Sequence, residues 1–310
     1  MSDANVTEIR HTIGAQGNLS LRNVSGRVRL IGTDSDEAVV ICRAQRGGEP
    51  QLNVERSEGG LLVEPERDRG SLRLGFNRTG SFELEAHVPR GARIDVKTVS
   101  ADIDGRDLVG DQAYKTVSAD LRLTAVGGRV GFMTVSGDVR LHETTDVELD
   151  GATTSGDLTV EAQLVRRLGV RTVSGDIRLE GRLMPGPRHS VETVSGDLNL
   201  EVVGGVTVES RRALDLGRGE RAPRIVGDGS ARLSFRSMSG DQRIGLRDPD
   251  TDDRPAAQDH QPWAWQARSD GPTQDAPGQS PTRLEILQAL ERGEIDVDEA
   301  SRRLETTRNG

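Results

Sequence analysis

TVSGDVRL at 134–141, TVSGDIRL at 172–179 and TVSGDLNL at 193–200 are three copies of one octapeptide, and five looser copies accompany them. NVSGRVRL begins at 23, TVSADIDG at 98, TVSADLRL at 116, TTSGDLTV at 153 and SMSGDQRI at 237. From Ser100 the motif serines recur after 18, 18, 19, 19 and 21 residues, at Ser118, Ser136, Ser155, Ser174 and Ser195. Ser239 follows Ser195 by 44, which leaves room for one degenerate copy. A fixed period of this size marks stacked coils.

Each period holds apolar residues on both sides of the serine. Val96, Tyr114, Phe132, Gly151, Val170 and Val191 precede it; Ile103, Leu121, Val139, Leu158, Ile177 and Leu198 follow the aspartate. Two short strands with period-two alternation therefore flank a Ser-Gly-Asp turn. One such unit cannot bury its own apolar face, so equivalent units must stack in register, about 4.8 Å apart. The predicted fold is all-β, a parallel β-solenoid. Thr98, Thr116, Thr134, Thr172 and Thr193 form an inward ladder, and Gly137, Gly156, Gly175, Gly196 and Gly240 form a corner that is expected to need positive φ. Ala101 and Ala119 at the same corner show that it tolerates a Cβ.

Composition agrees. The 310 residues include 37 Gly and only seven aromatics, too few large side chains for a thick core but enough for a thin one. The net charge of -9 and a pI near 5.2 argue against nucleic acid or an anionic membrane as partner, since both demand clustered basic surface. Lys97 and Lys115 are the only lysines, and the arginines alternate with acids on outward positions such as Arg140 and Arg178. The single cysteine, Cys42, lies in the apolar run AVVIC and reads as a buried structural thiol; it excludes an internal disulfide and a thiolate zinc site. The start MSDANVTEIRHTIG has no signal-peptide pattern, and no run approaches 18 apolar residues, so the expected location is cytoplasmic with no transmembrane segment.

Four regions follow. Residues 1–95 carry one early motif copy and strand candidates at 38–43, 51–55, 61–64, 71–76 and 82–88, expected to cap or start the solenoid. Residues 96–246 are the regular stack. Residues 247–280, rich in Pro, Asp and Gln with 7 acids against 3 bases, read as a disordered linker. Residues 281–306 change period. Thr282 with Glu285 and Asp296 with Glu299 are spaced as capping boxes, Gly293 ends the first helix, and Ile295 is a staple residue, which predicts a small α-helical hairpin. Its apolar residues Leu284, Ile286, Leu287, Leu290, Val297, Ala300 and Leu304 are too few to stabilise an independent domain. They are expected to self-associate or to recruit a protein partner.

The segment VPRGARIDVKTVSADI at 88–103, with the serial TVSGD repeats after it, resembles the bacterial putative-adhesin β-repeat family. The resemblance spans about residues 20–246. It implies a right-handed parallel β-helix and a non-enzymatic, adhesin-like role. ILQALERGEIDVDEASRRLE at 286–305 is similar to the SHOCT-type short C-terminal hairpin, which implies oligomerisation, and to a hairpin that accompanies such repeats in some envelope-stress proteins.

Each column of the repeat carries its own chemistry. The aspartates Asp102, Asp120, Asp138, Asp157, Asp176, Asp197 and Asp241 offer oxygen ligands for calcium, but one carboxylate per coil is few, and the dense Gly-Gly-x-Gly-x-Asp pattern is missing. Bonds to backbone N–H groups are the favoured role, and no metal or cofactor is expected. A hydrolase reading of the serines fails because His11, His87, His142, His189 and His260 bear no fixed relation to them. A carbohydrate-binding or carbohydrate-active β-helix is the alternative to a scaffold, weakened by the scarcity of aromatics.

Val99, Val117, Val135, Val173, Val194 and Met238 have two readings. Strict alternation points them outward as an apolar stripe, a binding surface; a bend at the threonine buries them in a second core corner. The buried reading is favoured, because large exposed apolar patches are uncommon. Trp263 and Trp265 of the linker are expected to dock. The candidate interaction residues are thus Leu284, Leu287, Leu290, Val297, Leu304, Trp263 and Trp265.

Overall fold

The computed structural model describes residues 6–44, 50–66, 81–212 and 223–247. These all fall within the unit Met1–Asp253. Among the described residues there is no helix, and none therefore long and apolar enough to cross a membrane. The expected linker and hairpin, with Trp263, Trp265, Leu284, Leu287, Leu290, Val297 and Leu304, lie outside the described residues, as does the strand candidate at 71–76.

One coil shows how the rest are made. In strand Arg93–Lys97, Ile94 and Val96 are buried while Arg93, Asp95 and Lys97 face out; after the Thr98–Val99 corner, strand Ser100–Arg106 buries Ala101, Ile103 and Gly105. The next coil lies parallel on both strands, with Tyr114 beside Val96 and Leu121 beside Ile103. The one after repeats this through Phe132 beside Tyr114 and Val139 beside Leu121. Strands Val139–Ser155 and Leu158–Ser174 run round the far side of the coil without a break. The product is a solenoid-like, all-β sheet whose rungs repeat with the sequence period.

Stacking order departs from chain order at both ends. The coil of Asn18–Arg22 and Ser25–Thr33 lies between Arg93–Lys97 with Ser100–Arg106 on one side and Gly60–Pro65 with Phe82–Pro89 on the other. Antiparallel strands finish this end: Leu52–Ser57 on Gly60–Pro65, Glu37–Ala44 on Phe82–Pro89, and Val6–Thr12 on Glu37–Ala44. At the opposite end, Ala231–Ser237 inserts between Arg188–Ser195 and Val206–Arg212, and Arg224–Val226 pairs antiparallel outside. The 44-residue gap therefore holds no intermediate rung. Its strand Val206–Arg212 stacks outside the last motif copy, and the Ser239 N–H bonds directly to the Val194 carbonyl at 3.0 Å. Short antiparallel strands at both ends cover rungs that would otherwise present open edges.

The core is a single column between the two strand faces, filled by one aliphatic residue per rung position. Tyr114 is fully buried, and its hydroxyl donates to Gln112 Oε1 at 3.0 Å. Gln112 Nε2 in turn meets the carbonyls of Leu108, Gly110 and Gly127 at 3.1–3.3 Å, so this polar pair is satisfied within the wall. Burial pushes the Tyr114 phenol well above its usual pKa and the Cys42 thiol up to about 12, as befits an inert structural cysteine.

The motif glycines do not serve the purpose expected of them. Only Gly26 and Gly137 have positive φ, at 111° and 145°; Gly156, Gly175, Gly196 and Gly240 do not. Left-handed backbone occurs at the far corner instead, in Asp107, Ala125 and Glu143 with φ of 58°, 53° and 51°. Ala101 and Ala119 hold the same position with buried side chains, but in the copies from Gly156 on glycine is needed for closeness. A Cβ on Gly156, Gly175, Gly196 or Gly240 would stand 2.1–2.2 Å from the carbonyl oxygen of the glycine one rung below.

Candidate functional site

The motif corner is the candidate site, and it is built one rung at a time. The threonine position is buried along the stack, from Thr98 through Thr116, Thr134, Thr153, Thr172 and Thr193 to Ser237. The next side chain is not. Val99, Val117, Val135, Val173, Val194 and Met238 are 40–47% exposed, and Val24 of the first copy is 36% exposed; the rung between Val135 and Val173 interrupts this apolar row with the half-buried Thr154. The favoured expectation of a second core corner is therefore wrong. Alternation continues through Thr and Val, and the bend comes at the serine, so Val and Ser both face outward before Gly or Ala turns the chain back in. Main-chain demand sets the bend: the Val99 and Val117 carbonyls accept from the N–H groups of Ser118 and Ser136, both at 2.8 Å.

Serine pairs with serine across the parallel rungs at 136, 155, 174 and 195. The hydroxyls of Ser100 and Ser155 donate to the carbonyls of Val24 and Val135, at 3.3 and 3.4 Å. The described histidines bond elsewhere: His11 to the Ser57 carbonyl, His87 to Glu85, His142 to Glu161 and His189 to the Met184 carbonyl. Serines held this way have no base to activate them.

The aspartate column is a backbone device. Oδ1 of each aspartate accepts the main-chain N–H of the aspartate one rung on, at 2.9–3.1 Å from Asp102 through Asp120, Asp138, Asp157, Asp176 and Asp197 to Asp241. The second oxygens of Asp120 and Asp138 take Arg122 and Arg140 at 2.7 Å. Among the described residues no group of three or more His, Cys, Asp or Glu is placed to hold a metal ion.

The opposite flank has the other charge. The outward residue before each threonine is, rung by rung, Arg22, Lys97, Lys115, Met133, Ala152, Arg171, Glu192 and Arg236. Both lysines of the chain stand here, and Met133 is 56% exposed beside Val135. The site is thus an apolar row with a mostly cationic flank on one side and a carboxylate flank on the other. Of the residues singled out from sequence, the valines and the aspartates come together here, while the Trp and Leu candidates fall outside the described residues. The cationic flank was missed. Its signal was available in the position before each threonine, read down the repeats instead of along the chain. The described aromatics Phe82, Tyr114, Phe132 and Phe235 are all buried, so none of them offers a sugar-stacking face.

The family model described as Toastrack DUF4097 matches residues 16–212. Among solved structures the chain is similar to a putative adhesin from Bacteroides fragilis, at 9% identity and a TM-score of 0.34, covering 78% of this chain and 97% of that one. It is also similar to a putative lipid binding protein from Parabacteroides distasonis, at 14% identity and a TM-score of 0.35, covering 79% and 97%. A putative cell adhesion protein from Clostridium sporogenes aligns at 11% identity and a TM-score of 0.25, covering 78% and 100%. No curated protein matches the chain.

Proposed function

The chain belongs to the Toastrack DUF4097 family, and from that premise we propose that it is a non-enzymatic scaffold or interaction protein, adhesin-like and envelope-related, whose rigid coil presents a binding row. The observation that carries this is the exposed corner from Val24 to Met238, because an apolar row repeated over the rungs of one rigid stack is a surface with no role in its own core. The aspartate column is taken up by main-chain hydrogen bonds, and the hydroxyls of Ser100 and Ser155 donate to main-chain carbonyls. In this reading the C-terminal hairpin adds a second contact through Leu284, Leu287, Leu290, Val297 and Leu304, which recruits a protein partner or another copy.

The test is co-purification and light scattering of the full chain against two double variants, Leu287→Asp with Leu290→Asp and Val117→Asp with Val135→Asp. Loss of association in either variant, with far-UV CD unchanged, supports an interaction protein. Association identical in all three overturns it.

A further inference from the structure

The apolar row is straight, repetitive and flanked by opposite charges, and this constrains what it fits. We infer that the Val–Ser corner binds a second copy of this chain, the two coils lying side by side and parallel with a two-fold axis along the row. The inference rests on the interaction-protein reading above and adds the partner and its orientation.

Orientation follows from charge. An axis along the row turns each copy's cationic flank onto the partner's aspartate flank at the same rung. Lys97 then faces the partner's Asp102, Lys115 the partner's Asp120, Arg171 the partner's Asp176 and Arg236 the partner's Asp241. Two rungs are like-charged, Arg22 against the partner's Arg27 and Glu192 against the partner's Asp197, and Glu192 is already neutralised within its own copy by Arg171 and Arg236 at 3.3 and 3.4 Å. An axis across the row sets Lys115 against the partner's Arg171, Arg22 against the partner's Arg236, and aspartate against aspartate over most of the other flank, with only Lys97 against the partner's Glu192 and Arg27 against the partner's Asp241 attractive. Like charges placed face to face reject that arrangement. Acceptors are present: among the described residues Asp102 and Asp176, which face the partner's Lys97 and the partner's Arg171, give Oδ1 to a main-chain N–H and form no ion pair within their own copy.

Area sets the strength. Eight rungs at about 4.8 Å give a row about 34 Å long. The Val–Ser strip, about 10 Å wide, offers roughly 350 Å² per copy, under half of the ~800 Å² per partner in a standard interface. The two flanks, six residues from Lys97 to Asp102, widen the footprint to roughly 20 Å and bring it near that size. The flanking ion pairs are therefore required, and the dimer must weaken with salt.

The axis along the row sets each rung against the same rung of the partner, with its two serines on either side of the axis and within crosslinking reach, which gives a direct test in the full chain, whose one native cysteine is buried. Ser118→Cys and Ser195→Cys should each oxidise to a self-crosslinked dimer. In sedimentation at micromolar concentration the wild type should dimerise, less so as salt rises from 50 to 500 mM, and Val117→Asp with Val135→Asp should weaken dimerisation at least tenfold with unchanged CD. A chain that stays monomeric and uncrosslinked overturns the inference. Crosslinking of Ser118→Cys with Ser174→Cys in a mixture, and of neither with itself, overturns the parallel orientation. A dimer kept in the valine variant but lost in Leu287→Asp with Leu290→Asp leaves the interaction reading standing and removes the corner contact.

Discussion

Thr98 and Thr172 occupy the same position in different rungs, yet their hydroxyls meet different fates. The Thr98 hydroxyl reaches the Ala101 carbonyl and the Thr116 hydroxyl, both at 3.1 Å. Those of Thr134, Thr153, Thr172 and Thr193 are buried with no partner. A buried hydroxyl left unpaired costs about 1–3 kcal/mol, whereas a made bond contributes about 1. Thr172→Val should therefore raise stability by up to about 1 kcal/mol and Thr98→Val should lower it by about 1; urea unfolding of the two variants checks the opposite signs. His189 supplies a pH dependence. It is fully buried beside the Met184 carbonyl, and burial holds its pKa below the usual 6.5. The folded value lies under the unfolded one, so the unfolded chain takes up the proton first as pH falls. Stability is complete above about 6.5 and declines as pH drops from there through the folded pKa. Melting from pH 7.5 to 5 should show the fall, and His189→Leu should flatten it.

Strand and corner, the elements of each rung, differ in what they tolerate. Gly175 cannot take a side chain, because its Cβ would sit 2.2 Å from the Gly156 carbonyl oxygen, which is main chain and cannot swing away. Gly131, in strand Gly128–Ser136, would meet nothing nearer than the Gln112 oxygen at 3.7 Å. Gly175→Ala should cost about 2 kcal/mol or more through overpacking and Gly131→Ala less than about 0.5, measured by thermal unfolding. Equal losses would mean that the corner glycines are chosen for flexibility and not for contact. The strands themselves were legible in the sequence, as the candidates at 38–43, 61–64 and 82–88 match Glu37–Ala44, Gly60–Pro65 and Phe82–Pro89. The exposure of Val117 was not, since alternation points it outward while the rarity of exposed apolar patches points it inward. Main-chain bonding at Ser118 and Ser136 decides for alternation.

In the whole molecule, each rung is held only by its neighbours, so losing an internal rung matters more than losing an outer one. Strand Ala231–Ser237 is internal although it comes late in the chain. A chain ending at Arg247 should fold, whereas one ending at residue 222 strips one of the two partners from Arg188–Ser195 and both from Val206–Arg212. Limited proteolysis should then cut within Val206–Arg212 in the shorter chain alone, and its melting temperature should fall by several degrees. Removal of residues 1–12, whose described part is the outer antiparallel strand Val6–Thr12, should do neither.

The octapeptide spacing by itself determined that this protein is a stack of parallel rungs, which residue types share a column, and that the threonines point in. These are consequences of period: with two-residue alternation and an 18–21-residue repeat, equivalent side chains have nowhere to go except into line. Rung order at the ends, the inserted strand Ala231–Ser237, the carbonyl contacts that require Gly156 and Gly175, and the outward valines were decided only by tertiary structure. Each depends on which backbone lies against which, and a carbonyl 2.2 Å from an imagined Cβ belongs to the neighbouring rung, about nineteen residues away in the chain.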